Sequence, residues 1–307
     1  MTSSPLAVPN SAATTASTVT LFLMTQKGYQ ILVYILENFG TSLIEQVIGA
    51  PDKALVKDYY QEIRQLCEKF GIRFYNRTDT NIRVTGAFSL AISWRWLIKS
   101  DSQLIVLHDS ILPRYRGFAP LVNCLINGEE EIGVTGLYAD EEFDRGDVIY
   151  TARHPVKYPL TIAQAIEFSL CCYKEVIKYI LTIISANKIP SASPQDEQHA
   201  TYSLWRDEAD YRLDWSLDSH RLQRTVDALG WPYQGARTLL DGEIAFVIAA
   251  EVLEDVVIEN RSPGKVLFMM EKGPVIVCRS GLLLLTDLRN QQGESLLPLK
   301  KFRVRFT

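Results

Sequence analysis

"QLIVLHDSILPRYRG" occupies residues 103–117, and its first five residues set the architecture. A short apolar run of this length reads as a strand buried on both faces. His108 then emerges at the carboxyl end of that strand. In an open α/β sheet this edge is where ligands bind. The lone histidine either works there or merely packs, and the flanking sequence bears on which.

Toward the amino terminus, "TVTLFLM" (18–24) reads as a strand running through Lys27-Gly28 into a helix, "YQILVYILEN". "SLIEQVIGA" (42–50) is a second strand. Pro51-Asp52 then opens a predicted helix with Leu55, Tyr59, Ile63, Leu66 and Phe70 at three- and four-residue spacing, closed by Gly71. "IRFY" (72–75) and "FSLAIS" (88–93) are further strands. Downstream come a helix near "LVNCLING", a strand "IGVTGLY" (132–138) and a long helix from Ile162 to about Ser185 with a continuous apolar stripe. Strands alternating with helices predict a mostly parallel sheet with both faces covered.

The texture changes after Pro190. "SASPQDEQHA" (191–200) is polar and reads as a linker. Beyond it, "IAFVIAAEVL", "GKVLFMM", "PVIVCRS" and "LLLLTDL" are short apolar runs with glycine punctuation, predicting a small β-rich unit. The expected organisation is a disordered tail at 1–17, an α/β domain at 18–190, a linker at 191–200 and a second domain at 201–307.

A net charge of −4 argues against a general electrostatic pull toward nucleic acid. The five cysteines are scattered and without metal-ligand spacing, so they read as reduced core residues of a cytoplasmic protein, and no metal is expected. The first 17 residues lack the basic start and apolar stretch of a secretory signal. No apolar run reaches the roughly 18 residues of a membrane span. There is no G-x-G-x-x-G, P-loop, H-E-x-x-H or G-x-S-x-G.

Two further stretches remain. "ADEEFDRGDVI" (139–149) carries Asp140, Glu141, Glu142, Asp144 and Asp147 after the strand "IGVTGLY", and so is expected at a carboxyl end as well. It is either a solvated acidic loop or the source of a carboxylate facing His108, which would orient the imidazole for proton transfer. "ISWRWLI" (92–98) brackets an arginine with two tryptophans, suiting either core or a flat pocket wall.

Together these stretches resemble the 10-formyltetrahydrofolate-dependent formyltransferases. The family pattern Asn-x-His-x-Ser-Leu-Leu-Pro-x-x-x-Gly reads "VLHDSILPRYRG" here, followed by "GVT" (133–135) and "DEEFDRGD" (140–147). Ala119-Pro120, "CLINGE" (124–129) and "YRLDWSLDSHRLQRTVDALGWPYQGARTLLDG" (211–242) extend the likeness over most of the chain. The resemblance implies a Rossmann-like α/β domain followed by an OB-like β domain. It implies His108 as general base or proton shuttle, with Asp144 as its partner. It places 10-formyltetrahydrofolate, as co-substrate, along Trp94, Arg95, Trp96, Leu97 and Ile98 and along Asp140 and Glu141.

One position departs from the pattern. The family's asparagine, two residues before the histidine, is Val106. That amide donates to the oxyanion of the transfer, and loss of one such donor costs about 100- to 1000-fold. Either another donor fills the place, such as protonated His108, Ser110 or a water, or the chemistry is slow or lost, in which last case the chain binds folate or nucleotide without catalysis.

The expected acceptor is a nucleotide-linked amino sugar, because "YSLWRDEADYRLDW" (202–215) resembles that branch of the family. Trp205 within it could also simply clamp the two domains. The alternative acceptor is methionyl-tRNA, which would profit from a basic insertion near the site; "GAPDK" (49–53) is short, and the basic "LKKFRVRF" (299–306) fits a final strand equally well. A homodimer remains an open expectation. Val106→Asn is expected to raise the transfer rate or leave it unchanged, measured as initial rates of formyl transfer by the folded variant.

Overall fold

A computed structural model describes residues 17–53 and 55–307. The tail expected at 1–17 lies, Ser17 apart, outside the described residues. The first half builds β1 (Val19–Leu23), α1 (Thr25–Phe39), β2 (Ile44–Gly49), α2 (Tyr60–Lys69), β3 (Arg73–Asn76), β4 (Phe88–Ile92) and β5 (Gln103–His108). β6 (Arg116–Gly117), α3 (Pro120–Asn127), β7 (Glu131–Tyr138), β8 (Val148–Pro155) and α4 (Ile162–Ser185) follow. Seven strands form one sheet in the order β3-β2-β1-β4-β5-β7-β8. The strands from β3 to β5 are parallel, so β1 and β4 are apolar and wholly buried. Ile31 and Ile35 of α1 and Tyr173, Ile177 and Ile180 of α4 pack with Leu21, Leu90 and Ile105 in one core. A capping box between Thr161 and Gln164 starts α4.

Two expectations need correction. The helix expected from Pro51 begins only at Tyr60. The Asp58 carboxylate accepts from the backbone N–H of Asp52 at 3.0 Å and of Tyr60 at 3.1 Å, and Tyr59 sits at φ 60, outside the helical region. Side-chain bonds of this kind compete with helix formation. The apolar spacing of Leu55 and Tyr59 therefore serves a loop against a cavity, described below.

The second correction concerns strand direction. β7 runs antiparallel to β5, pairing His108 with Thr135 and Ile105 with Tyr138. The carboxyl end of β7 thus lies toward the start of β5, not beside His108. The acidic loop has to travel back to reach the histidine.

The second half builds β9 (Tyr202–Ser203), α5 (Ser219–Leu229), β10 (Ala236–Leu240), β11 (Glu243–Leu253), β12 (Val266–Met270), β13 (Gly273–Val277) and β14 (Leu282–Arg289). Its antiparallel sheet has the order β10-β11-β14-β13-β12. The last residues join its two edges: Leu239 and Thr307 exchange backbone hydrogen bonds, and the Phe306 N–H donates to the Gly264 carbonyl at 2.8 Å. This closure removes exposed strand edges, as in an OB-like barrel. Leu222 and Val226 of α5 share a core with Leu283 and Leu285 of that sheet and with Leu125 of α3, joining the halves.

The polar stretch expected as a linker is firmly bonded. Ser193 pairs with Val148, and Gln195 and Glu197 bind the buried guanidinium of Arg116. Four of the five cysteines are buried as expected, and burial pushes their thiols up to about 12; Cys171 faces solvent. Among the described residues no helix is long and apolar enough to cross a membrane.

Asp227 on α5 has a buried carboxylate oxygen without a partner among the described residues, and burial raises its pKa to about 6. A raised folded-state pKa means that this carboxyl favours folding below its unfolded value near 4 and opposes folding as pH climbs through about 6. Asp227→Asn is expected to raise stability at pH 7 by about 1 kcal/mol, discounted for partial exposure, with the gain vanishing near pH 4. Denaturant unfolding at the two pH values checks this.

Candidate functional site

A cavity of about 530 Å³ opens along the face of the sheet that carries Leu104, Val106 and His108. Side chains alternate along a strand, so these three residues of β5 share one face. The loop after β4 supplies Trp94 to Ile98, the loop after β7 supplies Asp140, Glu142, Phe143 and Asp144, and the second half supplies Trp205, Arg206, Tyr211, Trp231 and Tyr233.

His108 is only 7 % exposed, against the expectation that it protrudes from the strand end. Its Nε2 donates to the Tyr115 carbonyl at 2.8 Å. A carbonyl only accepts, so Nε2 carries the hydrogen and Nδ1 is left open to take a proton. Nδ1 stands 3.4 Å from Asp144 Oδ1, close enough for electrostatic support and longer than an ordinary hydrogen bond. The structure thus brings together the histidine and the acid that the sequence separates.

Asp144 is held from three directions. Its Oδ2 accepts from the Gly117 N–H at 2.9 Å. Its backbone is turned into the left-handed region, at φ 58. Its carbonyl and that of Gly146 both accept from the Gln195 side-chain amide, each at 2.8 Å. Gln195 in turn accepts from Arg116 at 2.8 and 3.1 Å, while Glu197 binds the same guanidinium at 2.7 Å. Gly146 has to be glycine, since a Cβ there would lie 1.8 Å from the Tyr138 carbonyl oxygen.

The other expected residues divide. Trp94, Arg95, Trp96, Leu97, Ile98 and Asp140 line the cavity. Arg95 is anchored by an ion pair to Asp52, and Trp96 packs edge-on to Trp94 and stacks on Arg77. Glu141 is exposed and outside the lining. Ser110 is also outside it: its hydroxyl donates to the Arg114 carbonyl at 2.7 Å, so it shapes the turn and does not supply the oxyanion donor expected of it. Trp205 is 62 % exposed at the cavity mouth and does not clamp the halves together. Sequence reasoning missed Gln195 and Lys27, a lining lysine paired with Asp109, and did not foresee the burial of Arg116. Only Arg116 had a local signal, its place in the turn after His108; Gln195 sat inside a stretch read as linker.

A formyl transferase model matches residues 46–167, and a formyl transferase C-terminal domain model matches residues 206–302. A methionyl-tRNA formyltransferase of Geobacter sulfurreducens is 32 % identical over 266 residues, covering 85 % of this chain and 81 % of that one. The chain belongs to the formyltransferase family. Another methionyl-tRNA formyltransferase, from Gluconacetobacter diazotrophicus, is 30 % identical and covers 70 % of this chain and 68 % of its own length. Among solved structures, a sugar 3N-formyltransferase, WlaRD, with dTDP and 5-N-formyl-THF, aligns at TM-score 0.65 and 18 % identity over 88 % of this chain and 97 % of its own. The Helicobacter canadensis N-formyltransferase with folinic acid and dTDP-3-aminofucose aligns at the same TM-score and 15 % identity over 88 % of this chain and 99 % of its own. At these identities, the structural likeness establishes the fold.

As a formyltransferase, the protein is a folate-dependent transfer enzyme, and the cavity suits a formyl folate. Its wall beside β4 is aromatic, and the Trp94 Nε1–H is buried without an acceptor among the described residues, a donor that a bound heterocycle can satisfy. Gln195→Ala would release both loop carbonyls. Amide hydrogen exchange at residues 140–147 is expected to accelerate at least about tenfold in that variant, as measured by mass spectrometry.

Proposed function

We propose that this enzyme transfers the formyl group of 10-formyltetrahydrofolate to the amine of a nucleotide-linked amino sugar, with His108 and Asp144 handling the proton. Bound folate supplies the formyl group on its N10. His108, fixed through Nε2, accepts the proton that the acceptor amine sheds as it attacks, and Asp144 supports the resulting positive charge. The low exposure of both side chains keeps that proton away from bulk water.

The cavity mouth carries the choice of acceptor. Trp205 and Trp231 offer exposed ring faces on which a nucleobase can stack. Arg206 lies beside them; its Nε–H is buried without a partner among the described residues and suits a phosphate oxygen. Two structural neighbours hold dTDP or a dTDP-linked amino sugar together with a formylated folate. The same reading places the enzyme in the cytoplasm, consistent with its unpaired cysteines.

A second reading comes from the curated relatives, which act on methionyl-tRNA by name. A tRNA acceptor calls for basic surface at the site. The segment between β2 and α2 carries only Lys53 and Lys57, and Lys57 is paired with Glu62. In the basic carboxyl terminus, Arg305 binds Ser262 and Lys301 approaches Asp241. These observations favour the sugar acceptor.

Turnover of 10-formyltetrahydrofolate with a panel of amino-sugar nucleotides, set beside charged initiator tRNA, decides between the two. Formylation of a sugar nucleotide is expected, with no salt-sensitive tRNA binding. His108→Asn and Asp144→Asn are each expected to slow transfer at least about 100-fold; near-normal rates in both would remove these residues from the mechanism.

A further inference from the structure

Acyl transfer places negative charge on the former carbonyl oxygen, and a buried site has to meet it with a donor. Around His108 most donors are already committed. Val106 has none. The Gly117 N–H is bound to Asp144, the Ser110 hydroxyl to the Arg114 carbonyl and the His108 Nε2–H to the Tyr115 carbonyl. Lys27 differs. It lines the same cavity, it is 8 % exposed, and its Nζ lies 2.6 Å from Oδ2 of Asp109, the residue that directly follows His108. An ammonium carries three donors, and Asp109 takes one.

Two features around Lys27 sharpen its position. It stands in the first turn of α1, whose start has no side-chain cap, and Thr25 and Gln26 line the cavity with it. The positive end of the helix dipole therefore adds to the ammonium there. The other lysine and arginine side chains of the lining lie farther out: those of Arg95 and Lys57 are about half exposed, and Arg206 sits at the mouth. Burying a lysine is costly unless its charge is used or paired. Asp109 takes one of its hydrogens and the Tyr173 ring lies 5.6 Å from Nζ, which leaves a hydrogen to donate into the cavity.

We propose that the Lys27 ammonium is the oxyanion donor of this enzyme, held in the cavity by Asp109 and supplying the hydrogen bond that Val106 cannot. The acceptor's amine nitrogen bonds to the formyl carbon, and the carbonyl electron pair moves onto oxygen, where Lys27 donates. One amine proton passes to His108 Nδ1. As the pair returns, the bond from that carbon to the folate nitrogen breaks, and the nitrogen takes the proton. The inference rests on formyl transfer from folate and is independent of which amine accepts.

The test pairs kinetics with a spectroscopic readout that needs no acceptor. Lys27→Met is combined with Asp109→Asn so that no buried carboxylate is stranded, and the double variant is compared with the same chain carrying Val106→Asn. The double variant is expected to lose about 100-fold or more in kcat with little change in the KM for folate, and Val106→Asn is expected to restore at least about tenfold. Isotope-edited infrared spectra of a bound 10-formyl folate analogue should show the formyl C=O stretch moving to higher frequency in the double variant and back in the triple. Where the double variant fails to fold, Lys27→Gln, which keeps a bond to Asp109, is expected to give a smaller loss and a smaller shift of the same sign. An unmoved C=O band, an unchanged kcat, or a raised KM at constant kcat in a folded variant would overturn the proposal. The last of these would make Lys27 a ground-state anion binder. A loss of activity with the acceptor panel alone would count against the sugar reading and leave the infrared result standing.

Discussion

Asp144 meets His108 only because its loop is drawn back across the sheet against the direction of its own strand. β7 delivers the chain near Ile105, and the loop returns to the histidine through a left-handed turn at Asp144 and the Gly117 N–H. Gln195 fastens the two carbonyls at its bend, and Gln195 is itself fixed on Arg116, the largest fully buried side chain among the described residues. A guanidinium excluded from water needs its partners, and here those partners are the groups that hold the acid. The site geometry and the burial of that cation are one structural problem with one solution. It also explains why a polar segment after α4 lies flat on the first half when its composition suggests a free tether.

Much of this was legible in sequence, and the physical reasons for the failures are specific. The parallel strands announce themselves because burial on both faces demands continuous apolar runs, and α4 was bounded at both ends by its stripe. Strand direction leaves no such trace: "IGVTGLY" is as apolar in an antiparallel strand as in a parallel one, so the path of the acidic loop could not be read. The helix expected from Pro51 failed for the opposite reason. Its apolar spacing was real, but Asp58 diverted the backbone and Leu55 and Tyr59 were used to face a cavity. Ser110 fitted its motif, yet its hydroxyl is consumed within the turn.

The candidate site was legible where chemistry marks it, and silent where only geometry does. A histidine followed by an acidic loop is visible as residue types. Nothing in the letters of Gln195 or Lys27 distinguishes them from solvated surface; their partners lie 51 and 82 residues away. Long-range pairing of this kind is what a single sequence cannot display, because polarity reports the cost of burial and not the location of the group that offsets it.

The two comparisons name different acceptors: the sequence relatives are methionyl-tRNA formyltransferases and the two structural neighbours are sugar N-formyltransferases. Family membership fixes the folate-dependent transfer, whereas in the reading proposed above acceptor choice rests on a few side chains at the cavity mouth. Those side chains come from both halves of the chain: Phe118 and Phe143 pack together at 6.0 Å from the first, and Trp205 and Trp231 project from the second. A mouth of ring faces with one arginine and a nearby acidic loop suits a small planar ligand carrying a compact anionic group. A polyanion such as tRNA would instead meet Asp140, Glu141 and Glu142 on its approach, where Arg145 is already paired to Glu142 and Glu197. Like charges at the rim slow encounter and weaken binding. In the proposed reading the acidic rim discriminates by repulsion and the aromatic mouth by attraction; Arg116 secures the rim through the loop, while Trp205 and Trp231 come from the second half.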